Sequence, residues 1–201
     1  MKTFLDGVAL EIDDASLAGV LEVGAAEAER NGRVIIEASI DGHRIDEDQL
    51  VEPSSDPIQG EQVHLISADP RALVATTLFD ARDALSDAKQ LQDSAAASIQ
   101  AGEVTEALQP LAEAIGTWQI VRDVIDKSAL LLGFDLNDVK LPTGKSIADA
   151  AGELVVLLGE LRNAMASEDW ASVADVLAYE LDGQVAKWQE ILGLMGSQIR
   201  G

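Results

Sequence analysis

The feature that most constrains this chain is a change of hydrophobic period at Asp69-Pro70. Before that point apolar and polar residues alternate, as in Arg33 to Ile40 and in Glu61 to Ala68, the pattern of strands with one buried face. After it, apolar residues recur every three or four positions, as in Leu85, Ala88, Leu91, Ala95 and Ile99, the stripe of an amphipathic helix. Residues 1–69 and 70–201 are therefore expected to form two domains, the first α+β and the second all-α. A chain of 201 residues that is 47% hydrophobic holds enough apolar material for both cores.

In the first domain, Lys2 to Leu5 and Val8 to Ile12 flank Asp6-Gly7, a pair that supplies the positive φ angles of a tight hairpin turn. Asp13 and Asp14 offer capping oxygens ahead of a helix over about 15–31, which Asn31-Gly32 closes. Arg33 to Ile40, Asp41-Gly42 and His43 to Ile45 repeat the hairpin signal. An acidic, proline-containing loop covers Asp46 to Gly60, and Glu61 to Ala68 is the last strand. The order ββαβββ is that of a β-grasp fold, to which this domain is similar in element order alone, with a ferredoxin-like or irregular α+β sandwich as the alternative; there is no C-terminal Gly-Gly tail and no cysteine cluster.

The second domain reads as an antiparallel four-helix bundle. The first helix starts at Pro70, suited to a first helical position, and ends at Gly102. The second runs from near Glu103 to Gly133, with Pro110 expected to start or kink it. Gly133 to Lys145 is a long connection. Ser146 with Asp149 forms a capping-box pattern before the third helix, and Glu168-Asp169 caps the fourth. Displacing the first helical hairpin by 66 residues lays Leu91 on Leu157, Val104 on Trp170, Leu111 on Leu177 and Ile125 on Ile191, which suggests a duplicated αα-hairpin. Trp118, Trp170 and Trp188 fall on the apolar stripes and are expected in the core.

Charge narrows the partners. There are 36 acidic and 14 basic residues, and the basic ones form no run of three, so direct nucleic-acid binding is not expected. An acidic chain attracts basic partners or uses its charge for solubility. No window has the length and apolarity of a membrane span, and Met1 to Gly7 lacks the apolar core of a secretory signal, so a cytoplasmic protein is expected. The absence of cysteine excludes disulfides and thiolate chemistry.

No residue set identifies a reaction, and no catalytic, cofactor or metal residues are assigned. The only histidines, His43 and His64, are expected to be ordinary strand residues. Pro142-Thr143-Gly144-Lys145-Ser146 resembles the end of a phosphate-binding loop, but Val139 stands where the first glycine of that motif belongs and no strand precedes it. Glu103, Glu106, Glu113, Asp123 and Asp126 include two pairs at i, i+3 spacing, yet these lie about 30 Å apart along one helix. The run Asp46-Glu47-Asp48 with Glu52 and Asp56 is expected to be a solvated loop or a docking surface for a basic partner. The expected function is a non-enzymatic adaptor in protein–protein interaction, with sheet edges near Lys2 or His43 open to strand addition. The alternatives are a metal-dependent, phosphohydrolase-like carboxylate enzyme and an acidic mimic of nucleic acid.

Overall fold

The computed structural model describes residues 1–200, apart from the side chain of Glu47. The chain divides into two compact units, Met1–Leu73 and the part from Val74 onward. The boundary falls four residues after the change of period.

The first unit is a five-stranded mixed sheet with a helix on one face. Its strands are β1 (Lys2–Leu5), β2 (Val8–Leu10), β3 (Val34–Ile40), β4 (His43–Arg44) and β5 (Gln62–Ala68), in the spatial order β2-β1-β5-β3-β4. β1 and β5 are parallel, and every other neighbouring pair is antiparallel. Both Asp-Gly turns adopt the expected geometry, with φ of 50° and 84° at Asp6 and Gly7 and 48° and 82° at Asp41 and Gly42.

Helix α1 (Leu17–Arg30) is capped by Ser16, whose hydroxyl accepts the Gly19 N–H at 3.1 Å, and not by Asp13 or Asp14. Asp14 accepts the Ser16 N–H instead, at 2.9 Å, and so fixes the cap rather than forming it. The helix lies close on the sheet because Gly24 has no Cβ; one would stand 2.2 Å from Leu65 Cδ1. Leu17, Val20 and Ala28 form a core with Leu5, Ala38, Val63 and Leu65. The expected loop after β4 contains a short helix, α2 (Glu47–Val51). Farther on it is stitched to the start of α1 by Ala18 N–H to Ser54 C=O and Ile58 N–H to Ala15 C=O.

The second unit packs α3 (Pro70–Gln100), whose first residues belong to the preceding unit, with α4 (Val104–Leu132), α5 (Ile147–Ala166) and a last helix in three parts. Pro110 lies inside α4 and does not start it. Ser146 and Asp149 form the expected capping box. The turn between α3 and α4 and the turn that follows α5 share one geometry, displaced by 66 residues: Glu103 N–H donates to Ser98 C=O at 2.8 Å, and Asp169 N–H to Ala164 C=O at 2.9 Å. Gly102 and Glu168 take the left-handed position in these turns, with φ of 82° and 56°.

The last helix comprises α6 (Trp170–Asp175), a π-helical segment (Val176–Leu181) and α7 (Asp182–Arg200). No proline or glycine lies within Val176–Leu181, and the spacing of the core residues accounts for the interruption. Val173, Leu177, Leu181 and Val185 are all buried and succeed one another every four residues. Three such steps overrun a turn of 3.6 residues by about 1.2 residues in all. Wider π turns absorb that excess and keep the stripe on the core.

Candidate functional site

Alternation along β1 and β5 puts Thr3, Leu5, Val63 and Leu65 under α1, and leaves Phe4, His64 and Ile66 on the opposite face. Phe4 pairs with His64 in the β1–β5 ladder, and their rings stack with centroids 4.9 Å apart and planes inclined by 14°. His64 Nε2 lies 3.3 Å from Gln62 Oε1. Ser39 of β3 stands opposite His64, and Arg44 of β4 opposite Ser39, so one row crosses the sheet from Phe4 to Arg44. Glu37, opposite Ile66, approaches Arg44 at 4.0 Å. A bulge between Ile35 and Glu37 leaves Ile36 exposed farther along β3. The result is a small aromatic and aliphatic patch, with Ile66 44% exposed, crossed by a few charged groups.

The strands that carry this row are clamped at one end. Asp6 accepts hydrogen bonds from the Ser67 N–H at 2.8 Å and the Ser67 hydroxyl at 2.5 Å, while Arg33 Nε donates to the same hydroxyl at 2.7 Å. The two bonds from Ser67, assisted by the Arg33 charge, hold the Asp6 carboxyl below the usual carboxylate range. At the other end Asp41 accepts the Gln62 N–H at 2.8 Å.

The histidines do not converge. His43 lies opposite Ile40 on β4, one register position from the row that contains His64 and with β3 between them. The expected edge at Lys2 is corrected, because β1 lies between β2 and β5; the edges are β2 and β4. β2 has three residues and β4 two, so either offers few free backbone groups for strand addition.

The acidic candidates of the second unit stand apart. Glu103, Glu106, Glu113, Asp123 and Asp126 are all exposed on α4 or at its N-cap. Glu113 accepts from Gln109 at 3.0 Å, and Asp123 lies 3.5 Å from Arg122. Among the described residues no three His, Asp or Glu side chains are grouped as a metal site. Lys145, in the loop resembling a phosphate-binding motif, is engaged by Glu153, which also accepts from Lys187 at 2.6 Å. These two lysines draw the Glu153 carboxyl down to about 2. Asp46, in the acidic run, is the N-cap residue of α2 without a side-chain cap bond. Trp118 and Trp188 are fully buried in the helical core, and Trp170 packs against it partly buried. No described helix is long and apolar enough to cross a membrane.

Sequence reading did not find the Phe4–His64 pair, because parallel pairing of β1 with β5 joins residues 60 positions apart. The only available signal was that both occupy polar-phase positions of alternating strands. Comparison with protein-family models, with curated proteins and with solved structures gives no match to this chain.

Proposed function

We propose that this chain is a non-enzymatic adaptor whose N-terminal unit, a β-grasp-like module, docks a basic protein partner on the open face of its sheet. The observation that carries the reading is the open-face patch of half-buried Phe4 with exposed His64 and Ile66, in a segment of strongly negative charge. Residues 1–69 hold 16 acidic and 4 basic side chains. Aromatic and aliphatic groups ringed by charge suit a protein interface, where apolar anchors supply affinity and charges steer approach. The strand order β2-β1-β5-β3-β4, with its parallel central pair and α1 packed on one face, supports the β-grasp comparison. The helical unit is read as an antiparallel four-helix bundle, and the matched turns 66 residues apart support a duplicated hairpin. Neither the metal-dependent nor the nucleic-acid-mimic reading gains a specific observation.

The test is affinity capture with the full chain and an Ile66→Lys variant, chosen because Ile66 is an exposed position. A basic protein retained by the wild type, released by salt and lost by the variant is the expected result. Equal retention by both, or no basic protein retained, overturns the reading.

A further inference from the structure

A groove of about 390 Å³ runs along the helical unit between α4 and α5. Its lining includes Ile115 and Arg122 of α4 and Val155, Leu158, Arg162 and Met165 of α5. Val155 is 48% exposed, a large aliphatic side chain open to solvent beside other apolar groups. Gly159 also lines the groove, and a Cβ built on it meets no atom within 4 Å, so the trough is open at that position.

The charges of this groove run against those of the chain. In a protein with 36 acidic and 14 basic residues, two arginines line one trough, one from each helix. Arg162 is exposed and makes no ion pair with a described residue. Arg122 meets only its neighbour Asp123, at 3.5 Å, with both side chains about half exposed. Exposed pairs of that kind contribute little, so both guanidinium groups keep their capacity for bidentate carboxylate contacts.

We propose that this groove takes an acidic amphipathic helix of a partner protein. The length fits: Val155 to Met165 covers about 15 Å of helix axis at about 1.5 Å per residue, three turns of a guest helix. Apolar residues at i, i+3 or i+4 and i+7 of the guest settle on Ile115, Leu158 and Met165. Carboxylates on either side of its stripe meet Arg122 on one wall and Arg162 on the other. A basic helix would gain the same apolar contacts but face two like charges. The chain's overall negative charge does not forbid an acidic guest, because at physiological salt the Debye length is about 8 Å and more distant charges are screened. This site uses a different unit and the opposite charge from the sheet face, and stands or falls independently of it.

The test uses the full chain and two fluorescein-labelled designed peptides of about four helical turns with one leucine stripe, flanked by glutamates in one and by lysines in the other. At physiological salt the glutamate peptide is expected to raise its anisotropy saturably. Arg122→Glu with Arg162→Glu should weaken it by at least about tenfold. Gly159→Leu, which fills the trough, should abolish it, with circular dichroism confirming that both variants remain helical. Absent binding of the glutamate peptide, or binding indifferent to all three substitutions, overturns the proposal. So does a concentration-dependent dimer in light scattering that Gly159→Leu dissolves, which would assign the groove to a second copy of this chain. Tight competition by oleate would assign it to an anionic amphiphile and overturn it equally.

Discussion

Asp6 takes both the backbone N–H and the hydroxyl of Ser67, at 2.8 and 2.5 Å, so the turn of the first hairpin is tied to the end of the last strand. This contact spans 61 positions and closes the parallel β1–β5 pair on which the Phe4–His64 patch rests. Asp6→Asn keeps a residue that tolerates the turn but removes the charged acceptor. It is expected to cost about 1 kcal/mol, below the roughly 1.5–3 kcal/mol of a bond to a charged group because the site is part exposed. Ser67→Ala should cost a similar amount, and the double variant clearly less than the sum of the two, as urea denaturation would show. Additive losses would mean that the contact does not hold the strands together.

Glu153 joins the connection after α4 to α7 through Lys145 and Lys187. Its folded carboxyl lies at about 2, below the ordinary value of 4.5. A lowered carboxylate stabilises the fold above the unfolded value, and that contribution disappears as pH falls from about 4.5 towards about 2. Glu153→Gln should therefore lower the melting temperature at neutral pH and make no difference near pH 2. A deficit that persists undiminished in acid would point to lost packing rather than lost charge.

Gln92 of α3 is fully buried, and neither end of its amide has a protein hydrogen-bond partner. An unsatisfied buried amide costs about 1–3 kcal/mol. Gln92→Met, close in shape and without the polar atoms, should raise the melting temperature by several degrees. A fall would show that the amide has a partner other than the protein itself.

Two glycine-to-alanine changes should act in opposite directions. At Gly19 a Cβ would stand 2.8 Å from the Asp14 carbonyl oxygen and 2.6 Å from its Cβ, and backbone has little room to yield. Gly19→Ala is expected to destabilise the first unit by about 1–3 kcal/mol. Gly152 lies exposed within α5, where a Cβ meets nothing within 4 Å. Gly152→Ala should stabilise the second unit by about 0.5–1 kcal/mol from helix propensity. Calorimetry of both variants checks the pair, and like signs would refute it.

Several elements were legible from neighbouring residues alone. Asp6-Gly7 and Asp41-Gly42 specify left-handed turns, and Ser146 with Asp149 specifies a helix start. The cap of α1 was misread because Asp14 and Ser16 are both good capping residues, and their mutual hydrogen bond settles which of them takes the role. The π segment had a signal in the four-residue steps from Val173 to Val185, but such a run acquires meaning only when all four side chains must reach the same core. Of the candidate site, His64 could be placed on a strand, while its contact with Phe4 could not.

The sequence by itself determined the two periods, the change between them at Asp69-Pro70, the turn residues and the excess of acid. Each depends on the φ/ψ preferences of single residues or on repeats within a few positions. Tertiary structure alone decided that β1 runs beside β5, that Phe4 meets His64, and that Arg122 and Arg162 line one groove. Those pairings join residues 40 or more positions apart, and no local preference encodes them. They are selected by which arrangement buries Leu5 and Leu65 beneath α1, and Leu111, Leu154 and Leu177 among the helices, which is a property of the whole chain.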